Sequence, residues 1–185
     1  MIGALPRSLT VGGLPRAINA DFRVALNLFD CLSDDKYSPL EKAYLTVRTI
    51  YCDDIPDELF TEAAERAYWF LDGGDMPKSS KSRARIIDWK HDEHMIFPAV
   101  SKAAGREVRE MTFLHWWSFL GYMGEVGEGL YSTVINIRQK LANGKKLEKH
   151  EREFLHRNKE LIVLRSEEEK RDIAEDEEFL KTLLG

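Results

Sequence analysis

The stretch Asp21-Phe22-Arg23-Val24-Ala25-Leu26-Asn27-Leu28-Phe29-Asp30-Cys31-Leu32 decides the fold. Phe22, Ala25, Leu26, Phe29 and Leu32 fall at i, i+3, i+4, i+7 and i+10, one apolar stripe of a helix. Before it the pattern is different. Leu9 and Val11 alternate with Ser8 and Thr10, and Gly12-Gly13 sits where a two-residue hairpin turn belongs. Residues 4–18 therefore read as a small β-hairpin, and Pro15 makes its second arm an edge strand. A lone hairpin is marginal in water, so this one must pack on the rest of the chain or pair with another copy through Leu9, Val11 and Leu14.

After residue 32 the helical period continues. Ser38-Pro39-Leu40-Glu41 is a helix start with a capping box, and Leu40, Ala43, Tyr44, Val47 and Ile50 form its stripe. Ile55-Pro56 opens a third helix carrying Leu59, Phe60, Ala63, Ala67, Phe70 and Leu71, which Gly73-Gly74 stops. Residues 75–82 read as a polar loop. A fourth helix is expected over 83–104, kinked at Pro98. A fifth is expected from Thr112 through Leu120, a glycine-rich turn over 121–129, a short sixth over 130–137, and a long seventh carrying Leu147, Phe154, Leu155, Leu161 and Ile162. The expected fold is mainly α, a helical bundle of about seven helices with an N-terminal β-hairpin. Residues 1–20 form the hairpin, 21–165 the helical domain, and 166–185 an acidic tail ending in a short apolar segment.

The chain has 185 residues, 43% hydrophobic and 32% charged, with a net charge of -5. This suits one soluble globular domain and not a protein that grips nucleic acid by overall charge. No signal peptide and no membrane span is expected. Charge is uneven near the end. Residues 138–165 hold nine basic residues against four glutamates, and 166–178 hold eight acids against two bases. The basic stretch reads as an amphipathic helix with i, i+4 ion pairs, since its bases alternate with glutamates.

Chemical motifs are few. His91 and His94 stand at i and i+3 and can share a helix face, with His115 a third zinc ligand only by folding. The H-E-x-x-H spacing is absent, and the plainer reading is a polar face beside Trp89. Gly74 to Ser79 lacks the glycine before lysine that a phosphate loop needs, having Pro77 there. Cys31 and Cys52 close apolar stripes and read as core residues. The least common feature is His115-Trp116-Trp117. Adjacent helical tryptophans point about 100° apart, so either one anchors the core while the other meets a partner, or both tuck into the bundle. Trp116 and Trp117, with Phe179, Leu180, Leu183 and Leu184 at the end, are the candidate partner-binding residues.

Four pieces in order carry a resemblance. They are Leu5-Pro6 running to Asn19-Ala20-Asp21-Phe22-Arg23; Ile55-Pro56 with the helix ending Ala67-Tyr68-Trp69-Phe70-Leu71-Asp72-Gly73-Gly74; Asp88-Trp89 with Asp92, Ile96 and Ala99; and Leu114-His115-Trp116-Trp117-Ser118-Phe119-Leu120. Together they resemble the "gene product fifteen" family of siphophage proteins from phages of Gram-positive bacteria. The resemblance implies a tail assembly chaperone in the host cytoplasm, a non-enzyme without cofactor or metal. Its implied partners are the tape measure protein and the tail tube protein; the edge hairpin over residues 4–18 adds a second copy of the chain by strand addition, and charge and hydropathy leave no expectation of nucleic acid or membrane. The glycine-rich 121–129 and the long acidic tail depart from the family pattern. Two other classes stay open: a structural tail or head-tail connector component of the virion, and a zinc-dependent enzyme using His91 and His94.

Overall fold

The computed structural model describes residues 3–74 and 86–164. The expected loop over 75–82 and the tail over 166–185, with Phe179, Leu180, Leu183 and Leu184, lie outside the described residues. Strands β1 (Ser8–Val11) and β2 (Leu14–Ala17) form an antiparallel hairpin. Among the described residues eight α-helices follow: α1 (Phe22–Leu32), α2 (Pro39–Ile50), α3 (Phe60–Leu71), α4 (Glu93–Ala104), α5 (Trp116–Gly124), α6 (Leu130–Ala142), α7 (Lys149–Arg157) and α8 (Lys159–Ile162). The described residues fall into two compact units, 3–74 with 89–132 and 86–88 with 133–164. None of their helices is long and apolar enough to cross a membrane.

The hairpin turns through Gly12 (φ 60°) and Gly13 (φ 75°), the paired positive angles of a type I′ turn. Gly12 has a second constraint. Its N–H donates to Glu62 Oε2 at 3.0 Å, and a Cβ there would stand 2.6 Å from Leu59 Cδ1. The hairpin thus lies against α3. Leu9 and Val11 point inward and are buried, while Leu14 is exposed. The outer edge of β2 is blunted, because Pro15 carries no N–H and the Ala17 carbonyl already accepts from Cys52 N.

In the first unit α1 packs on α2 and α5, α2 on α3, and α4 on α5. Ser38 and Glu41 make the expected capping box of α2. The core is aromatic. Phe22 stacks on Phe119 at 4.8 Å, Trp116 stacks on Phe119 at 5.7 Å, and Phe29 lies 5.7 Å from both Trp89 and Trp116. The α1 stripe is rotated slightly from expectation, since Leu28 is buried with Phe22 and Ala25 while Leu26, Phe29 and Leu32 are only partly covered. In the second unit Arg138 replaces a hydrophobic anchor. Its buried guanidinium donates to the carbonyls of Ile86 (3.0 Å), Leu161 (2.6 Å) and Ile162 (3.0 Å), two of them at the end of α8.

Several expectations are corrected. Helix α4 begins at Glu93, with 86–92 non-helical before it, and it runs through Pro98 without a break. Helix α5 begins at Trp116 because residues 114–115 are held extended: Phe22 N donates to Leu114 O at 2.9 Å, and Asp21 and His115 form a β-bridge. His115, not Thr112, supplies the cap. Helix α5 then continues to Gly124, so tertiary packing overrides the low helix propensity of its glycines. The long seventh helix is two helices parted at Asn158. Cys31 and Cys52 are exposed rather than core. Cys31 follows Phe22 by nine residues, about half a turn around the helix from it, and Cys52 lies beyond the end of α2. In the basic stretch, Lys140 pairs with Glu151 at 2.7 Å and with Glu148 at 4.0 Å, reaching from α6 to α7 or the residue before it, and His150 lies 3.5 Å from Glu148.

Candidate functional site

Residues from the first, second and fourth pieces that carry the resemblance meet in one place, a clamp around His115. Asp21 caps α1, its Oδ1 accepting from Arg23 N at 2.9 Å, while Oδ2 accepts from Leu114 N at 3.2 Å. Trp116 N donates to Ala20 O at 2.8 Å. Arg23 Nη2 donates to the carbonyls of Arg109 and Met111. His115 is bonded at both ring nitrogens: Nδ1 accepts from Trp117 N at 3.0 Å, and Nε2 donates to Pro6 O at 2.8 Å. Trp116 Nε1 donates to Leu71 O, and Trp117 Nε1 to Phe70 O. Trp117 also covers Gly74, where a Cβ would stand 2.9 Å from its ring.

This arrangement assigns the candidate residues. Trp116 is 1% exposed and is a core residue, which removes it as a partner contact. Trp117 is half-buried against Phe70 and Trp69, at ring separations of 6.1 and 5.3 Å. Leu9 and Val11 pack within their own chain, so of the three hairpin side chains only Leu14 is available to another copy. His115 has no nitrogen left for a metal. His91 and His94 lie 6.4 Å apart by ring centroids, and His94 Nδ1 contacts His91 O at 3.0 Å. Among the described residues, no group of three or more His, Cys, Asp or Glu side chains is placed to hold a metal ion.

The surface feature with the chemistry of a binding site lies elsewhere in the same unit. Tyr37, Leu40, Glu41, Tyr44, Leu45, Asp57 and Phe60 line an open groove of about 610 Å³ between α2 and the start of α3. Leu40 is 72% exposed and Tyr44 54%. The Tyr44 and Phe60 rings stack across it at 6.4 Å. The capping box explains why this surface is firm: Glu41 Oε2 accepts from Ser38 N at 2.7 Å and Ser38 Oγ from Glu41 N at 3.3 Å. Those contacts, the Ser38 backbone N–H first, hold the Glu41 carboxyl below the usual range and keep it charged. A second groove, of about 640 Å³, lies between α4 and residues 125–131. Its lining mixes His94, Lys102, Glu125 and Glu128 with apolar residues.

The sequence reading missed the first groove because it placed Leu40 and Tyr44 in a core stripe. Helical periodicity reports that apolar residues share a face, not what covers that face. Val47 and Ile50 of the same stripe are buried as expected. The usable signal was the excess of apolar residues at the start of α2, where Tyr37, Leu40, Tyr44 and Leu45 together exceed what one seam needs.

Compared with known proteins, the chain matches the family model described as Bacteriophage Gp15 protein over residues 1–164. No curated protein and no solved structure matches it.

Proposed function

The chain belongs to the bacteriophage Gp15 protein family, and from this we propose that it works as a tail assembly chaperone. Membership makes it a phage structural or assembly protein. In the finer reading it binds the tape measure protein in the host cytoplasm, keeps that chain's hydrophobic helices soluble, and assists tail tube assembly. The role is one of contact, with no cofactor and no bond chemistry.

The observation that supports this reading is the exposed apolar groove of Leu40, Tyr44 and Phe60, set on helices that are otherwise well packed. A protein that shields hydrophobic helices must offer apolar surface in water and resist collapsing it. Solvent-facing Leu40 and Tyr44 do the first, and the capped start of α2 does the second.

Co-expression with the tape measure protein of the same phage tests the reading. The expected result is a higher soluble yield of the tape measure chain and its co-purification with this protein. The absence of both would overturn it. Recovery of this chain in purified particles at stoichiometric amounts would instead make it a structural tail or head-tail connector component.

A further inference from the structure

We infer that the α2/α3 groove seats a single amphipathic helix of a partner protein whose apolar strip is flanked by lysine or arginine. The inference deepens the chaperone reading and rests on it for the partner's identity alone.

Shape comes first. The groove runs beside α2, with Leu40 and Tyr44 one helical turn apart on its wall and Phe60 facing Tyr44. Its volume falls within the roughly 300–1,000 Å³ of binding clefts. Side chains at i, i+3 or i+4 and i+7 of an incoming helix present this kind of row to such a groove.

Charge selects among occupants. The two charged residues of the lining, Glu41 and Asp57, are both acidic, and the neighbouring Glu58 is an exposed acid as well. Lys42, next to Glu41 in sequence, is not part of the lining, and two further bases nearby are already paired. Lys36 lies 5.0 Å from the Tyr37 ring but pairs with Asp34 at 2.8 Å, and Arg48 lies 6.0 Å from the Tyr44 ring but pairs with Asp54. An apolar floor with a negative rim favours basic flanks and repels acidic ones. This disfavours the chain's own residues 166–178, which carry eight acids against two bases. It also disfavours a second copy docked groove to groove, which would bring the same acidic rim.

The test uses two labelled peptides of about 18 residues, long enough to hold a helix. They share one leucine and phenylalanine strip and differ only in lysine or glutamate flanks. Fluorescence anisotropy with the full chain should show the lysine peptide binding at least about tenfold tighter. Leu40→Glu with Tyr44→Glu should abolish that binding, Asp57→Lys should shrink the preference, and Tyr68→Glu, an exposed aromatic outside the groove, should change nothing. Circular dichroism of each variant separates lost binding from lost fold. Equal affinity for both peptides, no binding of either, or indifference to the groove variants would overturn the inference. So would a dimer that Leu40→Glu dissolves, or a gain of about tenfold in peptide affinity from Phe179→Ser with Leu183→Ser, which would make the chain's own end the occupant. If the peptides fail while the tape measure protein still co-purifies, the groove inference falls and the chaperone reading stands. If the lysine peptide binds while the tape measure protein gains nothing, the reverse holds.

Discussion

The clamp around His115 and the groove beside α2 lie in the same unit and have opposite characters. The clamp holds most of the family-like sequence, and its named polar groups are bonded inward. The groove also lies within the matched residues 1–164, but it carries little of the four motif pieces and offers its apolar side chains to solvent. Leu114, His115 and Trp116 each bond a distant segment, at Asp21 and Phe22, at Pro6, and at Ala20 and Leu71 respectively. Motifs that draw the eye in this chain therefore build the scaffold, and the proposed binding surface is made of residues that no motif marks.

The contrast can be broken at its strongest point. Trp116→Ala should destabilise the first unit by about 3–5 kcal/mol, read by urea denaturation, because it empties a buried aromatic site. Little change would mean that the clamp is ornamental. Asp21→Ala should cost about 1–3 kcal/mol through the lost α1 cap and the orphaned Leu114 N–H, with Asp21→Asn recovering part of it. Gly74→Ala should cost about 1–2 kcal/mol in the same assay, since its φ of 92° and the Trp117 ring both exclude a Cβ. The groove should answer differently. Leu40→Glu or Tyr44→Glu should shift stability by less than about 0.5 kcal/mol yet lose the tape measure protein in pull-down.

The smallest effect sharpens the comparison by locating acid sensitivity on the surface. The Arg109 side chain, then its backbone N–H, holds the Glu107 carboxyl down at about 2, against an ordinary 4.5. A carboxylate with a depressed folded value adds stability above its unfolded value, and that addition fades as pH falls from about 4.5 toward 2. Glu107→Gln should flatten this part of the melting-temperature profile by lowering the value slightly at neutral pH, where the charge contributes in full, while leaving the value near pH 2 almost unchanged.

Much of the fold was legible because local rules and tertiary demands agreed. The Gly12-Gly13 turn, the Ser38 cap and the α3 stripe needed no distant partner to be read. The failures fall where distant contacts prevail. The start of α5 is set by bonds to residues 20–22, and Asn158 parts α7 from α8 where Arg138 gathers the carbonyls beyond. The candidate site was harder still. Of the two tryptophans, spacing foretold that their directions differ, but only packing shows that Trp116 is enclosed and Trp117 half-covered. Leu40 and Tyr44 were visible as apolar and misplaced as core, since a sequence does not state which greasy face goes uncovered.

The bond from His115 to Pro6 spans 109 positions, and that from Leu114 to Asp21 spans 93. On the ribosome, then, the first three helices emerge long before the segment that locks them arrives. Ring closures of this length form late, so a nascent chain halted short of Trp117 displays its aromatic interior to the cytosol.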